Sequence, residues 1–184
     1  MRFFRWLISF LFIFYGLAYG SENGSIIPAA SVKIIEPVKL YDETGCLYTS
    51  YEGLVMAGYQ GWFTAKGDGA GRNWHHYEKN GQFKPGVSTI DFWPDVSEYK
   101  ITYETAFSFA NGEKAHVYSP FDEESVDLHF KWMKEYGIDG VFMQRFVSEI
   151  KGSKGKNHFN KVLENALKAA KKYDRAISIM YDLS

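Results

Sequence analysis

The stretch "IDGVFMQRF", residues 138–146, reads as a buried β-strand whose apolar run ends in polar Gln144 and Arg145. What lies on either side gives it its meaning. Before it, a helix is predicted from near Pro120. Asp122, Glu123 and Glu124 complement the dipole of its first turn, Val126, Phe130 and Met133 form its apolar stripe, and Gly137 ends it. After it, residues 157–173 place Phe159, Val162, Leu163, Ala166, Leu167 and Ala170 at helical spacing. "RAISIMYDLS", residues 175–184, then supplies another buried strand, Ala176 to Met180, running into polar Tyr181 and Asp182.

Upstream, "GLVMAGYQGWF", residues 53–63, holds a first strand over Leu54 to Ala57 that turns polar and aromatic at its end. The glycine-rich stretch 64–86 is too long for a simple connection, so it is read as functional or mobile. Residues 99–119 alternate around Asn111-Gly112, a hairpin signal. The order is strand, hairpin insertion, helix, strand, helix, strand. Continuous apolar strands between helices predict an α/β fold with a parallel sheet covered on both faces. Three such strands cannot close a barrel, which takes eight and about 250 residues, so the pattern reads as an unfinished one.

Composition narrows the function classes. The 184 residues carry a net charge of −1, which gives no electrostatic reason to expect nucleic acid as a partner. Aromatics are abundant, with 13 Tyr, 15 Phe and 5 Trp, and they suit either a core or stacking on sugar rings. Residues 1–20 read as a signal peptide: Arg2 and Arg5, an apolar run from Trp6 to Leu17, then Ala18-Tyr19-Gly20 before Ser21. Export to the periplasm or the outside follows, without stable membrane insertion after cleavage. Residues 21–49, with Pro28 and Pro37, read as a lead-in or linker. Cys46 is the single cysteine, so neither an internal disulfide nor a cysteine zinc cluster is expected.

Four clusters are candidates for chemistry. Tyr59-Gln60-Gly61-Trp62 suits a sugar platform, or a rim that seals the core. In Trp74-His75-His76-Tyr77, adjacent histidines point to opposite sides of an extended chain, so no metal site is expected there. Trp74 and His76 are instead candidates for contacting substrate. Asp91, Asp95 and Glu98 in "STIDFWPDVSEY", residues 88–99, are candidate carboxylates or solvated and capping groups, with Asp91 the one that could meet substrate. Gln144-Arg145 and Tyr181-Asp182 stand at neighbouring strand ends, where an Arg145–Asp182 ion pair is expected, orienting substrate or knitting the sheet.

The stretches "GYQGWFTAKGDGAGRNWHHYE", "DFWPDVSEY", "HVYSPFDEESVDLHFKWMKEYGIDGVFMQRF" and "MYDLS" resemble bacterial glycoside hydrolases of the family 71/99-like group, relatives of endo-alpha-mannosidases and alpha-1,3-glucanases. The likeness covers about residues 50–184. It implies the N-terminal part of a (β/α)8 TIM barrel, of about three strands and two helices, and export. It also implies action on polysaccharide or glycan, with no cofactor. In the endo-alpha-mannosidase branch the working glutamates lie in a Trp-Asn-Glu-Trp-x-Glu-like motif on a later strand. This sequence contains no such motif, so the chain alone is expected to be inactive. A secreted carbohydrate-binding protein without catalysis is the alternative. Tyr59, Gln60, Trp62, Trp74, His76, Asp91, Gln144, Arg145, Tyr181 and Asp182 are the residues expected to meet carbohydrate.

Overall fold

The computed structural model describes Tyr48 and residues 50–183. The segment expected to be a signal peptide, Cys46, nearly all of the expected lead-in, and Ser184 lie outside the described residues.

Three parallel strands form the main sheet: β1 (Met56–Tyr59), β4 (Gly140–Phe146) and β5 (Ala176–Asp182), in the order β1-β4-β5. Between β1 and β4 the chain makes an antiparallel hairpin, β2 (Tyr103–Ser108) and β3 (Lys114–Val117), and then helix α1 (Glu123–Glu135). A single-turn helix α2 (Val147–Ile150) and the long helix α3 (Ser153–Tyr173) connect β4 to β5. The α/β class and the parallel sheet match the sequence reading. No closed barrel is formed by the described strands.

Helices α1 and α3 pack together on one face of the sheet rather than on both. Strand order advances in a single direction, and right-handed crossovers then place each connecting helix on the same side. Val126, Phe130 and Met133 of α1 and Val162, Ala166 and Ala170 of α3 meet Tyr59, Val141 and Met143 in one apolar core. Alternation along β4 sends Val141, Met143 and Arg145 toward the helices and Phe142, Gln144 and Phe146 to the opposite face.

Local chemistry moves several expected boundaries. β1 begins two residues later than expected, because Gly53 and Leu54 close a turn onto Tyr51. Val55 is tied to the α1–β4 loop by bonds in both directions with Asp139. Asp122 precedes α1 but does not cap it, since its carboxylate accepts the Tyr103 hydroxyl (2.8 Å). α3 begins at Ser153, one turn before the apolar periodicity starts. Its Gly155 packs so closely on α2 that a Cβ there would lie 2.0 Å from the Glu149 carbonyl oxygen.

The long glycine-rich segment builds a second core. Tyr77, Phe83 and Val117 are buried, with Phe63, Trp74, Ile90, Trp93, Tyr103 and Phe107 packed around them, so loop and hairpin fold as one layer. Buried Asp68 fastens this layer: its carboxylate accepts the amides of Ala65 (2.9 Å) and Ala70 (2.8 Å) and the Ser119 hydroxyl (2.8 Å).

Gly140 tests the sheet register. A Cβ there would sit 2.3 Å from the Ala176 carbonyl oxygen, whereas one on Gly58, in β1 of the same sheet, meets nothing within 4 Å. Gly140→Ala is expected to cost about 1–3 kcal/mol by overpacking, and Gly58→Ala to stay within about 0.5 kcal/mol of wild type. Urea unfolding of the two variants, side by side, measures the difference.

Candidate functional site

Side chains at the C-terminal ends of parallel strands stand clear of the ladder, which makes that rim the place where polar groups can face a ligand. On the sheet face away from the helices, three of them join in a row. Gln60, just past β1, donates through Nε2 to Gln144 Oε1 (3.2 Å). Gln144 Nε2 in turn donates to Asp182 Oδ2 (2.7 Å). The row crosses all three strands. Phe146, which shares this face and is level with Asp182, stacks on Trp62 at 5.2 Å.

The second cluster is built from the loop after β1. Thr64 is fully buried and pins the segment 73–75: its amide donates to the His75 carbonyl (3.2 Å), its hydroxyl donates to the Asn73 carbonyl (2.9 Å), and the same Oγ1 accepts the His75 amide (3.2 Å). Asn73 and His76 adopt left-handed backbone, at φ 56° and 65°. The chain is therefore not extended here, and both imidazoles turn to the same carboxylate, that of Glu149 in α2. His75 Nε2 lies 3.1 and 3.2 Å from the two Glu149 oxygens, and His76 Nε2 lies 3.5 Å from Oε1. The expectation that the two histidines face apart is corrected by this geometry.

Arg72 completes the cluster by pairing with Glu149 Oε2. Burial works to raise the Glu149 pKa, but the His75 hydrogen bond and the Arg72 charge outweigh it and hold the carboxyl below its usual range. Burial, reinforced by neighbouring His75, pushes His76 down to about 4 against the opposing pull of Glu149. Among the described residues, His75, His76 and Glu149 are the set of three metal-capable side chains whose ligand atoms all lie within 4.8 Å of one another. The two histidines line a cleft of about 430 Å³, together with Trp62, Phe63, Glu78, Asn80 and Ile90.

A smaller cleft of about 190 Å³ opens beside β1, lined by Tyr59, Gln60, Trp62, Tyr118 and His129. His129 sits between two phenols, with Tyr59 Oη 2.8 Å from Nδ1 and Tyr99 Oη 2.6 Å from Nε2. A neutral ring has one donor and one acceptor nitrogen, so one tyrosine donates and the other accepts. Burial keeps the ring neutral by lowering its pKa to about 4.

The candidates thus separate. Gln60, Gln144 and Asp182 come together, and Trp62 lies between them and His76, stacked on the imidazole at 4.3 Å. Tyr59 is buried against Phe130 with its hydroxyl on His129. Trp74 packs on Phe83 in the second core. Asp91 is exposed beyond Ile90, where the cleft lining stops. Asp95 closes a turn on the Ser97 amide (2.9 Å), and Glu98 accepts the Trp132 indole N–H (3.2 Å).

The ion pair expected between Arg145 and Asp182 gives way to other partners. Arg145 lies on the helix side of β4, level with Tyr181, and donates to Asn160 Oδ1 (2.7 Å) and the Phe159 carbonyl (3.4 Å). Asp182 belongs to the opposite side, with Gln144. No sequence motif marks Arg72 or Glu149. Only the acidic residue soon after the β4 strand end could have pointed to Glu149.

Comparison with protein families, with curated proteins and with solved structures found no match for this chain.

The buried histidines set an acid limit. His129 has a folded pKa near 4 against an ordinary 6.5, so the unfolded chain binds more protons in that window. Stability is fully present above about pH 6.5 and falls as pH drops toward about 4, with His129 contributing a slope of at most about 1.4 kcal/mol per pH unit. Urea unfolding followed across this range is expected to show the decline, and His129→Gln to make it shallower.

Proposed function

We propose that the chain is part of an exported glycoside hydrolase and that the rim formed by Gln60, Gln144 and Asp182 binds carbohydrate. The hydrogen-bonded row across three strand ends carries this reading. Two amides and one carboxylate supply donors and acceptors there, the complement that sugar hydroxyls require. Trp62 and Phe146 flank the row with aromatic surface, the other element of sugar recognition.

In this reading β1, β4 and β5 are the first three strands of a (β/α)8 barrel. Strands advancing in one direction with both long helices on one side support it, because a barrel has helices outside and the strand-end row inside. The resemblance of the loop, helix and strand motifs to the family 71/99-like glycoside hydrolases supports it independently. The signal segment read in residues 1–20 supports export to where polysaccharides are met.

Binding without cleavage is the expected behaviour of this chain. Glycosidases commonly work with two carboxyl groups across the scissile bond. The row contains one, Asp182, and its Oδ2 already accepts from Gln144.

The full chain is expected to be retained by at least one immobilised α-linked glucan or mannan and to release no sugar from it. Gln144→Ala removes both bonds of the row and is expected to weaken retention about tenfold, the equivalent of about 1.4 kcal/mol. Affinity electrophoresis on a glycan panel reads this directly. A folded protein that no glycan retards, or equal retardation of the variant, would overturn the proposal.

A further inference from the structure

We propose that His75, His76 and Glu149 form a binding site for one zinc ion, bordering the 430 Å³ cleft. The inference stands apart from the carbohydrate reading and uses none of the three row residues.

Spacing is the first argument. A tetrahedral zinc with bonds of about 2.0–2.1 Å holds its ligand atoms about 3.3–3.4 Å apart. Glu149 Oε1 lies 3.1 Å from His75 Nε2 and 3.5 Å from His76 Nε2, values that bracket that edge. The third edge, between the two imidazole nitrogens, falls within the 4.8 Å that bounds the whole set.

The second argument is an unsatisfied atom. His76 Nε2 is buried and has no hydrogen-bond geometry to any partner, although it points toward Glu149. A buried polar atom left so costs stability, and a metal ion would satisfy it. The backbone supports the same assignment. Two left-handed residues, Asn73 and His76, are what bring adjacent imidazoles to one point, and non-glycine residues adopt that conformation at a cost.

Second contacts are also in place. Arg72 holds Glu149 Oε2 and leaves Oε1 toward the histidines, and the Arg72 guanidinium rests over the Phe159 ring at 5.8 Å. Trp62 stacks on His76 and fixes the plane of that ring. Metal-binding histidines and carboxylates are ordinarily oriented by such neighbours. Two imidazoles with one carboxylate select zinc or a similar first-row ion over magnesium or calcium, which take oxygen ligands. Three protein ligands leave a fourth position for water, the arrangement of zinc sites that do chemistry. Zinc takes the Nε2 lone pair of His75, so any proton on that nitrogen moves to Nδ1 or is released to solvent.

Isothermal titration of chelator-treated full chain with zinc chloride tests this. The expected result is one zinc per chain, no heat from calcium chloride, and affinity reduced more than about tenfold in His76→Ala and in Glu149→Gln. His116→Ala, a histidine that pairs with Thr102 in the hairpin layer, is expected to bind as wild type does. Cobalt(II) gives a second readout, through a visible absorption band in the wild type that both ligand variants lose. Absence of zinc binding by the wild type would overturn the proposal. So would binding that survives both ligand variants, or binding that is lost in His116→Ala.

Discussion

β4 has a parallel neighbour on each side, so every one of its side chains must belong to one of two environments. Val141 and Met143 enter the helix-covered core, while Phe142, Gln144 and Phe146 face the other way. The division is maintained by register. Ala57, Val141 and Ile177 are level with one another, as are Tyr59, Met143 and Ile179, and a slip of one residue would exchange the two faces. Close approach of Gly140 to the Ala176 carbonyl sets that register at the base of the strands. Both candidate sites inherit their positions from it. Gln144 is a β4 residue, and Glu149 is carried on the helix that β4 runs into.

Most of this frame was legible in the sequence because it depends on periodicity. The stripe Val126, Phe130, Met133 and the apolar runs of β4 and β5 encode burial, and burial set their fates. The helix-face error has the same root in reverse. A run such as Gly140 to Met143 shows that a strand is buried, not which side its connecting helix takes, and strand order decides that. Arg145 departs from its expected ion pair for a related reason. At a strand end, Gln144 and Arg145 read as equivalent polar groups, but alternation gives one to the open face and the other to α3.

The loop cluster was illegible on different grounds. Alternation along an extended chain separates His75 from His76, and that rule fails once φ turns positive at Asn73 and His76. Neither residue announces that conformation in the sequence as a glycine would. The segment is held there by long-range bonds: Thr64 to Asn73 and His75, and Asp68 to Ser119. Glycines in "KGDGAG" suggest mobility when read alone. In the folded chain, the buried Asp68 carboxylate collects the amides of Ala65 and Ala70, and the stretch becomes a fixed turn. Trp74, a candidate for contacting substrate, packs against the core of this layer.

Trp62 joins the two halves of the site. It stacks on Phe146, which belongs to the sheet, and on His76, which belongs to the loop cluster. The stacking is approximately parallel in both cases, at 18° and 21°, so a change in the orientation of either ring is felt by the indole. Glu149 forms a second link, because it follows β4 in the chain and receives Arg72 and His75 from the loop. Its place depends in turn on Gly155, since only a residue without a Cβ lets the first turn of α3 close on the Glu149 carbonyl. A ligand on the strand-end row and an ion among the histidines would therefore both lie next to Trp62 and its stacked rings. Contact through Trp62, rather than distance between the two clusters, is what would determine whether one responds to the other.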